Sequence, residues 1–455
     1  MAGAATDRPA LQRLGGWRLA AFAAPALATG ALTTPLAVYL PAHYSSYVGL
    51  DLAAVGFAFF LVRTLDISLD PLVGLLIDRT QSRWGQFRPW MVLGAVLVSV
   101  SSAVLFLAQP GDGLPRLMAG LLLVYAAVSV TGVAHPAWAA RLSAGYDDRS
   151  RIYSWIYVAQ SVGTFLLLAL PPVLARGRTP HAGADVQNMG WALIVTMPFL
   201  MAAAVAWTPE LRPGAPEHVA DDVRVADYLR LLERPAMRRL FVADVLVSLA
   251  TGASIGLFVF FFRARGLGMT LINGMVLIYL AAAIVSVPFW TWVAGRIGKH
   301  RALIASAGGY VVAILGMGVI RAQLTALLLP TLAFMGLTFA ASAFLIRAMA
   351  ADAADEARLH TGLDRLGQVY GLLAATQKVG SALALGVSFW LLAKLGFTAA
   401  DPARSAPAAL TALSILYIGV PALLMSCAAG VLVGYPIDAG EHARIARELT
   451  RKSPA

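Results

Sequence analysis

Three ionisable side chains interrupt a segment that is otherwise apolar. In LVRTLDISLDPLVG, Arg63, Asp66 and Asp70 recur at i, i+3 and i+7, which stacks them along one face of a helix. Insertion scales put the cost at about 2.5–3.5 kcal/mol per charge at a helix centre, so three central charges would oppose insertion by roughly 8–10 kcal/mol. Such groups face a protein interior, not lipid. Two carboxylates one turn apart can hold a desolvated Na⁺ or Li⁺. They can equally share one proton, because two close like charges disfavour double ionisation. Pro71 follows directly and lacks an N–H, so the carbonyl of Ile67 is left as a further oxygen. A competing reading is an Arg63–Asp66 ion pair that only fixes helix packing; it leaves Asp70 without a partner.

Lys378, in AATQKVGSALAL, is the other isolated charge. A buried ammonium needs a carboxylate, and the Asp66/Asp70 pair suits it on charge; the alternative is snorkelling to the interface. Asp244 follows Arg238 and Arg239 closely, which predicts an interfacial role. His135, beside Pro136 and Trp138, reads as a packing histidine before a proton relay or ligand contact. Single aromatic residues near segment ends, such as Tyr47 and Trp90, read as interfacial anchors.

The elements that carry these residues follow from composition. Of 455 residues, 59% are hydrophobic and 13% charged, about half the charge of a soluble globular chain. Mean hydropathy is +0.73. A bilayer core of about 30 Å needs roughly 20 apolar residues per helix. Such runs lie near 18–41, 52–77, 90–108, 116–140, 152–174, 189–208, 239–262, 270–294, 302–320, 323–346, 367–393 and 408–434. The expectation is an all-α membrane protein with twelve transmembrane helices in two six-helix halves. The first half spans 1–208 and the second 239–434; a polar linker, 209–238, joins them and a tail runs over 435–455. Pro209, Pro213, Pro216 and Pro235 discourage a continuous helix in the linker.

Lys and Arg concentrate, by about three to one, in loops on the side of the two termini. Arg79, Arg83, Arg88, Arg149, Arg151, Arg238, Arg239, Arg296, Lys299 and Arg301 are among them. The other side holds Arg116, Arg176, Arg178, Arg263, Arg265, Arg321, Lys394 and Arg404, while Arg63 and Lys378 fall within spans. Both termini are therefore expected in the cytoplasm. The net charge of +11 belongs to the membrane's inner face, not to a nucleic-acid site. The opening residues imitate a secretory signal, but eleven further spans favour an uncleaved first helix. The lone Cys427 excludes an internal disulfide. No HExxH or P-loop occurs, and the seven histidines lack ligand spacing, so neither an enzyme nor a cofactor is expected. A non-transporting sensor would bring a signalling domain, for which the tail is too short.

Between the second and third spans stands GLLIDRTQSRWGQFRPW, in which Gly74, Asp78, Arg79 and Arg83 form G-x-x-x-D-R-x-x-x-R. GRIGKHR, with Gly295, Arg296, Gly298, Lys299 and Arg301, sits at the equivalent place in the second half. Two related loops suit a duplicated transporter, and both resemble the loop motif of the major facilitator superfamily. DPLVGLLIDRTQSRWGQFRPW further resembles the signature of the glycoside–pentoside–hexuronide cation symporters, the family of the bacterial melibiose permease. HPAWAARLSAGYDDRSRI, ADAADEARLHTGLDRLGQVYG with QKVGSA, and YPIDAGEHARIARELTRK extend the resemblance along nearly the whole chain.

The resemblance implies a cation-coupled symporter in a bacterial inner membrane, alternating its two halves around a central cavity. Asp66, Asp70 and Thr131 match the family's cation site, Arg63 its neighbouring arginine and Lys378 the lysine tied to coupling. Leu69 stands where the family has a polar Asn beside the second aspartate, which favours H⁺ over Na⁺. The two aspartates that recognise galactosides fall at Gly30 and Ala134, which cannot accept bonds from sugar hydroxyls. An amphiphilic or less hydroxylated solute, a lysolipid included, or a sugar held otherwise, then fits; Tyr39, His135 and Trp138 are candidates to line its pocket. The partners expected are a small solute, the coupling ion and lipid, around a monomer.

Overall fold

The computed structural model describes residues 15–66, 68–143, 146–174, 183–210, 230–320, 325–398 and 404–452. All regular elements among them are helical: α1 (Gly16–Thr34), α2 (Leu40–His43), α3 (Leu52–Asp66), α4 (Leu69–Arg79), α5 (Arg88–Phe106), α6 (Leu114–Leu142), α7 (Tyr146–Leu174) and α8 (Ala184–Trp207). The second half adds α9 (Pro235–Ala264), α10 (Met269–Ile297), α11 (Lys299–Val319), α12 (Thr325–Thr361), α13 (Leu366–Lys394), α14 (Pro407–Ser414), α15 (Val420–Leu432) and the tail helix α16 (Ala439–Lys452). Nine membrane-length apolar helices are found among the described residues. Helical runs also occupy the expected first, second and fifth spans, so the arrangement is consistent with twelve. Most of the expected linker lies outside the described residues.

Several runs are broken where the sequence forces it. The first span passes through π-helical turns at Pro35–Tyr39 and Tyr44–Val48. The second ends its first segment at Asp66 and restarts at Leu69, with Asp70 and Pro71 in the first turn. Asp70 thus sits at a helix N-terminus, where the backbone dipole favours an anion. Ile67, whose carbonyl the sequence nominates as a ligand, lies outside the described residues.

Within the first half, α1 packs on α7 and α8, and α5 on α6 and α8; in the second, α9 packs on α13 and α15, and α12 on α10 and α11. Small residues bring α1 and α7 into backbone contact. A Cβ at Gly30 would strike the backbone of Gln160, and one at Gly163 the backbone of Leu27. Position 30 could not carry a carboxylate without separating these helices.

The two halves share one hydrophobic core only toward the end that carries the basic loops. There Ile77, Leu142, Tyr153, Trp290, Ala294, Leu345 and Tyr370 belong to one cluster. Toward the opposite end the second half keeps its own cores, around Leu257, Phe261 and Tyr417 and around Ala250, Tyr310 and Met425. The halves are closed on each other at the basic end.

Candidate functional site

At the seam between the halves, Lys378 of α13 reaches across to the broken second span. Its Nζ lies 2.7 Å from Asp66 Oδ1 and 2.9 Å from Asp70 Oδ1, and it donates to Ser129 Oγ at 3.0 Å. Ser129, on α6, donates to the same Asp66 oxygen at 3.0 Å. The aspartates are 1% and 0% exposed, whereas the Lys378 side chain retains 15% exposure. Asp66 Oδ2 and Asp70 Oδ2 are both buried with no hydrogen-bond partner among the described residues. Two orphaned carboxylate oxygens beside a serine hydroxyl form a donor set for a hard monovalent cation or for a proton, since such atoms strongly favour an electropositive partner.

The sequence brings three of the expected residues together here: Asp66, Asp70 and Lys378. Arg63 stays outside. It is exposed, donates to Tyr125 Oη at 3.4 Å and rests over that ring at 5.5 Å. The Arg63–Asp66 pair is not formed. Thr131 is also elsewhere: its hydroxyl donates to Ala127 O of its own helix at 2.8 Å, and its methyl packs on Gly94 of α5. Two residues earlier, Ser129 lies on the face of α6 that meets the aspartates. Only a helical-wheel argument anchored on the true contact face would have selected it.

Of the expected pocket residues, His135 and Trp138 are buried in the core. His135 Nε2 lies 2.9 Å from Phe22 O, with its ring edge-on to Phe22 at 4.6 Å. Trp138 is fully buried and edge-on to the same Phe22 at 5.2 Å. Tyr39 is half-buried in the π-helical turn. Ala134 is fully buried. None of His135, Trp138 and Ala134 faces an open cavity.

Arg347, one residue past the expected tenth span, lies inside α12 because that helix runs past its apolar stretch to Thr361. Half-buried, it donates to Ala343 O at 2.6 Å and to Gln377 Oε1 at 3.2 Å. Asp244 is 1% exposed and faces α13, where it meets Thr376 and Gln377. It is a buried group, not an interfacial one.

The loop motif locks the basic end. Asp78 accepts from the backbone N–H of Gly367 at 2.8 Å and of Gln368 at 2.9 Å, capping the N-terminus of α13 in the other half. Gly74 meets Gly367 so closely that a Cβ on either would overlap the other's backbone. Arg79 and Arg83 are exposed. Beside this cap Arg141 pairs with Asp364. Arg149 binds Asp352 at 3.0 Å and Asp355 at 2.6 Å, and Lys299 binds Asp352 at 2.6 Å. His442 of α16 lies 3.5 Å from Asp352.

A bundle of membrane-length helices in two packed halves, with charges paired across the seam, defines a membrane transporter. The comparisons narrow this. A family profile described as "MFS/sugar transport protein" matches residues 21–439, and the chain belongs to that family. The isoprimeverose transporter of Lactiplantibacillus pentosus is 25% identical over 431 residues, covering 89% of this chain and 85% of its own. The glucuronide carrier protein homolog of Escherichia coli (strain K12) is 23% identical over 378 residues, covering 80% of each chain. Among solved structures, the MFS proton:xylose symporter XylE superposes with a TM-score of 0.67 at 12% identity, covering 94% of this chain and 98% of that one. The MFS transporter FucP in its outward conformation gives 0.63 at 12% identity, covering 90% and 98%.

Proposed function

We propose that this protein is a cation-coupled symporter that carries a small glycoside-like solute into a bacterial cell across the inner membrane. The observation that carries this reading is Lys378 of one half seated on Asp66 and Asp70 of the other. The ammonium acts as a tethered cation. A mobile Na⁺ or H⁺ that takes the two orphaned oxygens weakens Lys378's hold, because one cation then neutralises what the other had neutralised. The seam between the halves loosens only when an ion is aboard, which is the requirement for coupling. The family relatives named for isoprimeverose and glucuronide transport support a sugar-like solute. The basic loops support a reading in which the closed end, and both termini, face the cytoplasm. On that placement the described state is closed toward the cytoplasm. No catalytic or cofactor role is assigned to any residue.

The pocket cannot use carboxylates at positions 30 and 134. Polar side chains that could meet a solute are Arg63, exposed and bonded to the buried Tyr125, and Arg347, half-buried and bonded to Gln377. Guanidinium groups suit hydroxyl or carboxylate oxygens of a solute. Proteoliposomes loaded with buffer and offered a panel of radiolabelled sugars, uronides and lysolipids under separate Na⁺ and H⁺ gradients test the reading. Gradient-driven accumulation of a sugar-class solute is expected, lost in Asp66→Asn and Asp70→Asn. Accumulation without either gradient, or undiminished in both variants, would sink it.

A further inference from the structure

Asp244 is a titratable group that the site above does not use. It lies on α9, roughly 13 Å of helix rise beyond Pro235, and is 1% exposed. Among the described residues it forms no ion pair. Its contacts are neutral: the Thr376 hydroxyl at 2.5 Å from Oδ2 and the Gln377 amide at 3.4 Å from Oδ1. Arg347 of α12 stands one amide away, bound to Gln377 Oε1. On its own helix, Arg239 is turned to the carbonyls of Val433 and Gly434, and Arg238 is exposed near the helix start. The facing helix α15, VPALLMSCAAGVL, carries no acidic or basic residue. A bare carboxylate so placed, with no cation against it, is far costlier than a neutral acid.

The hydrogen count at Thr376 points the same way. Its Oγ1 lies 2.5 Å from Asp244 Oδ2 and 2.8 Å from Leu373 O, but a hydroxyl has one hydrogen. If Asp244 Oδ2 carries a proton and donates it to Thr376 Oγ1, the threonine hydrogen is free for Leu373 O. Each contact is then made by its own hydrogen.

We propose that Asp244 is a proton-binding site in the second half, separate from the Asp66/Asp70 pair. A hydronium ion delivers the proton: its O–H bond breaks to leave water, an O–H bond forms at Oδ2, and the carboxylate loses its charge. The two sites are joined by three consecutive residues of α13. Thr376 and Gln377 address Asp244, and Lys378, turned toward the first half, addresses Asp66 and Asp70. A shift of α13 that releases Lys378 also moves Thr376 and Gln377, so both sites sense the same movement.

Infrared spectroscopy of the full-length protein in vesicles at neutral pH, with and without aspartate labelled by ¹³C at the side-chain carboxyl, reads that proton regardless of any transport activity. A protonated-carboxyl carbonyl band is expected in the wild type, shifted by the label and by D₂O, lost in Asp244→Asn and retained in Asp70→Asn. No such band in the wild type, or the same band in folded Asp244→Asn, overturns the proposal. Should Asp244→Asn fail to fold, Thr376→Val serves. The band is expected at higher frequency once its acceptor is gone, and an unmoved band overturns the assignment.

Discussion

At the scale of single residues, Lys378 is the structural partner of Asp66 and Asp70 and, on the proposed function, the competitor of the coupling ion. Replacing it by Met leaves two buried carboxylates without a cation, a change that costs about 3–5 kcal/mol when one member of a buried pair is removed. An added ion can recover part of that. We expect Lys378→Met to melt well below the wild type in ion-poor buffer and to regain stability on addition of Na⁺ or acid, more steeply than the wild type does. Thermal unfolding followed against salt and pH checks this; parallel curves for the two proteins would contradict it. A second comparison separates the hydroxyls. Ser129→Ala should weaken ion-dependent stabilisation several-fold, because Ser129 touches both Asp66 and Lys378. Thr131→Ala should leave it unchanged, since that hydroxyl serves its own helix. The same contrast shows what a sequence can and cannot tell. Asp66, Asp70 and Lys378 were legible because a charge in an apolar run is expensive and must find an opposite charge. Ser129 was not, because a serine costs little in a membrane helix and marks no face. Asp244 was misread because nearness to Arg238 and Arg239 along the chain does not tell which side of α9 it occupies.

At the scale of elements, the second span works because it is two helices. The break after Asp66 lets the two aspartates approach one ammonium from separate segments, and the N-terminus of α4 supports Asp70. Pro71 made the break foreseeable, while the π-helical turns of the first span had no signal beyond Pro35 and Pro41. α4 then carries Asp70 of the proposed ion site at one end and the Asp78 cap at the other, so the two are rigidly linked. Asp78→Ala removes the cap from α13 and should cost about 1 kcal/mol in the closed basic end alone, since α13 belongs to the other half. The expected result is a several-fold rise in the population open at that end. Distances between spin labels at Gln81 and Thr361, both exposed there, measure it in a background lacking Cys427. An unchanged distance distribution would mean that the cap does not hold the halves.

At the scale of the whole molecule, the halves are held by two kinds of contact with different reach. Apolar packing and glycine contacts, as at Gly74 and Gly367, give close fit but no sense of an ion. Charged groups give an equilibrium that depends on what is bound. The largest charged cluster lies at the basic end, where Arg149 (3% exposed) holds Asp352 and Asp355, Lys299 (1% exposed) shares Asp352, and the tail helix brings His442 alongside. Family loops marked the end of the molecule where this occurs, but not the partners, because each pair joins residues roughly 50–200 positions apart in sequence. Arg149→Met should strand Asp355 and half of Asp352 in the closed state, at about 3–5 kcal/mol. Opening of the basic end rehydrates those carboxylates, so the penalty falls on one state only and shifts the balance toward the other. The Gln81–Thr361 label pair should then report a predominantly longer distance. Exchanging the charges, with Arg149→Asp and Asp355→Arg together, should restore part of the short-distance population. If Arg149→Met leaves the short distance dominant, the apolar seam alone holds the halves closed and the ion cluster has no gating role.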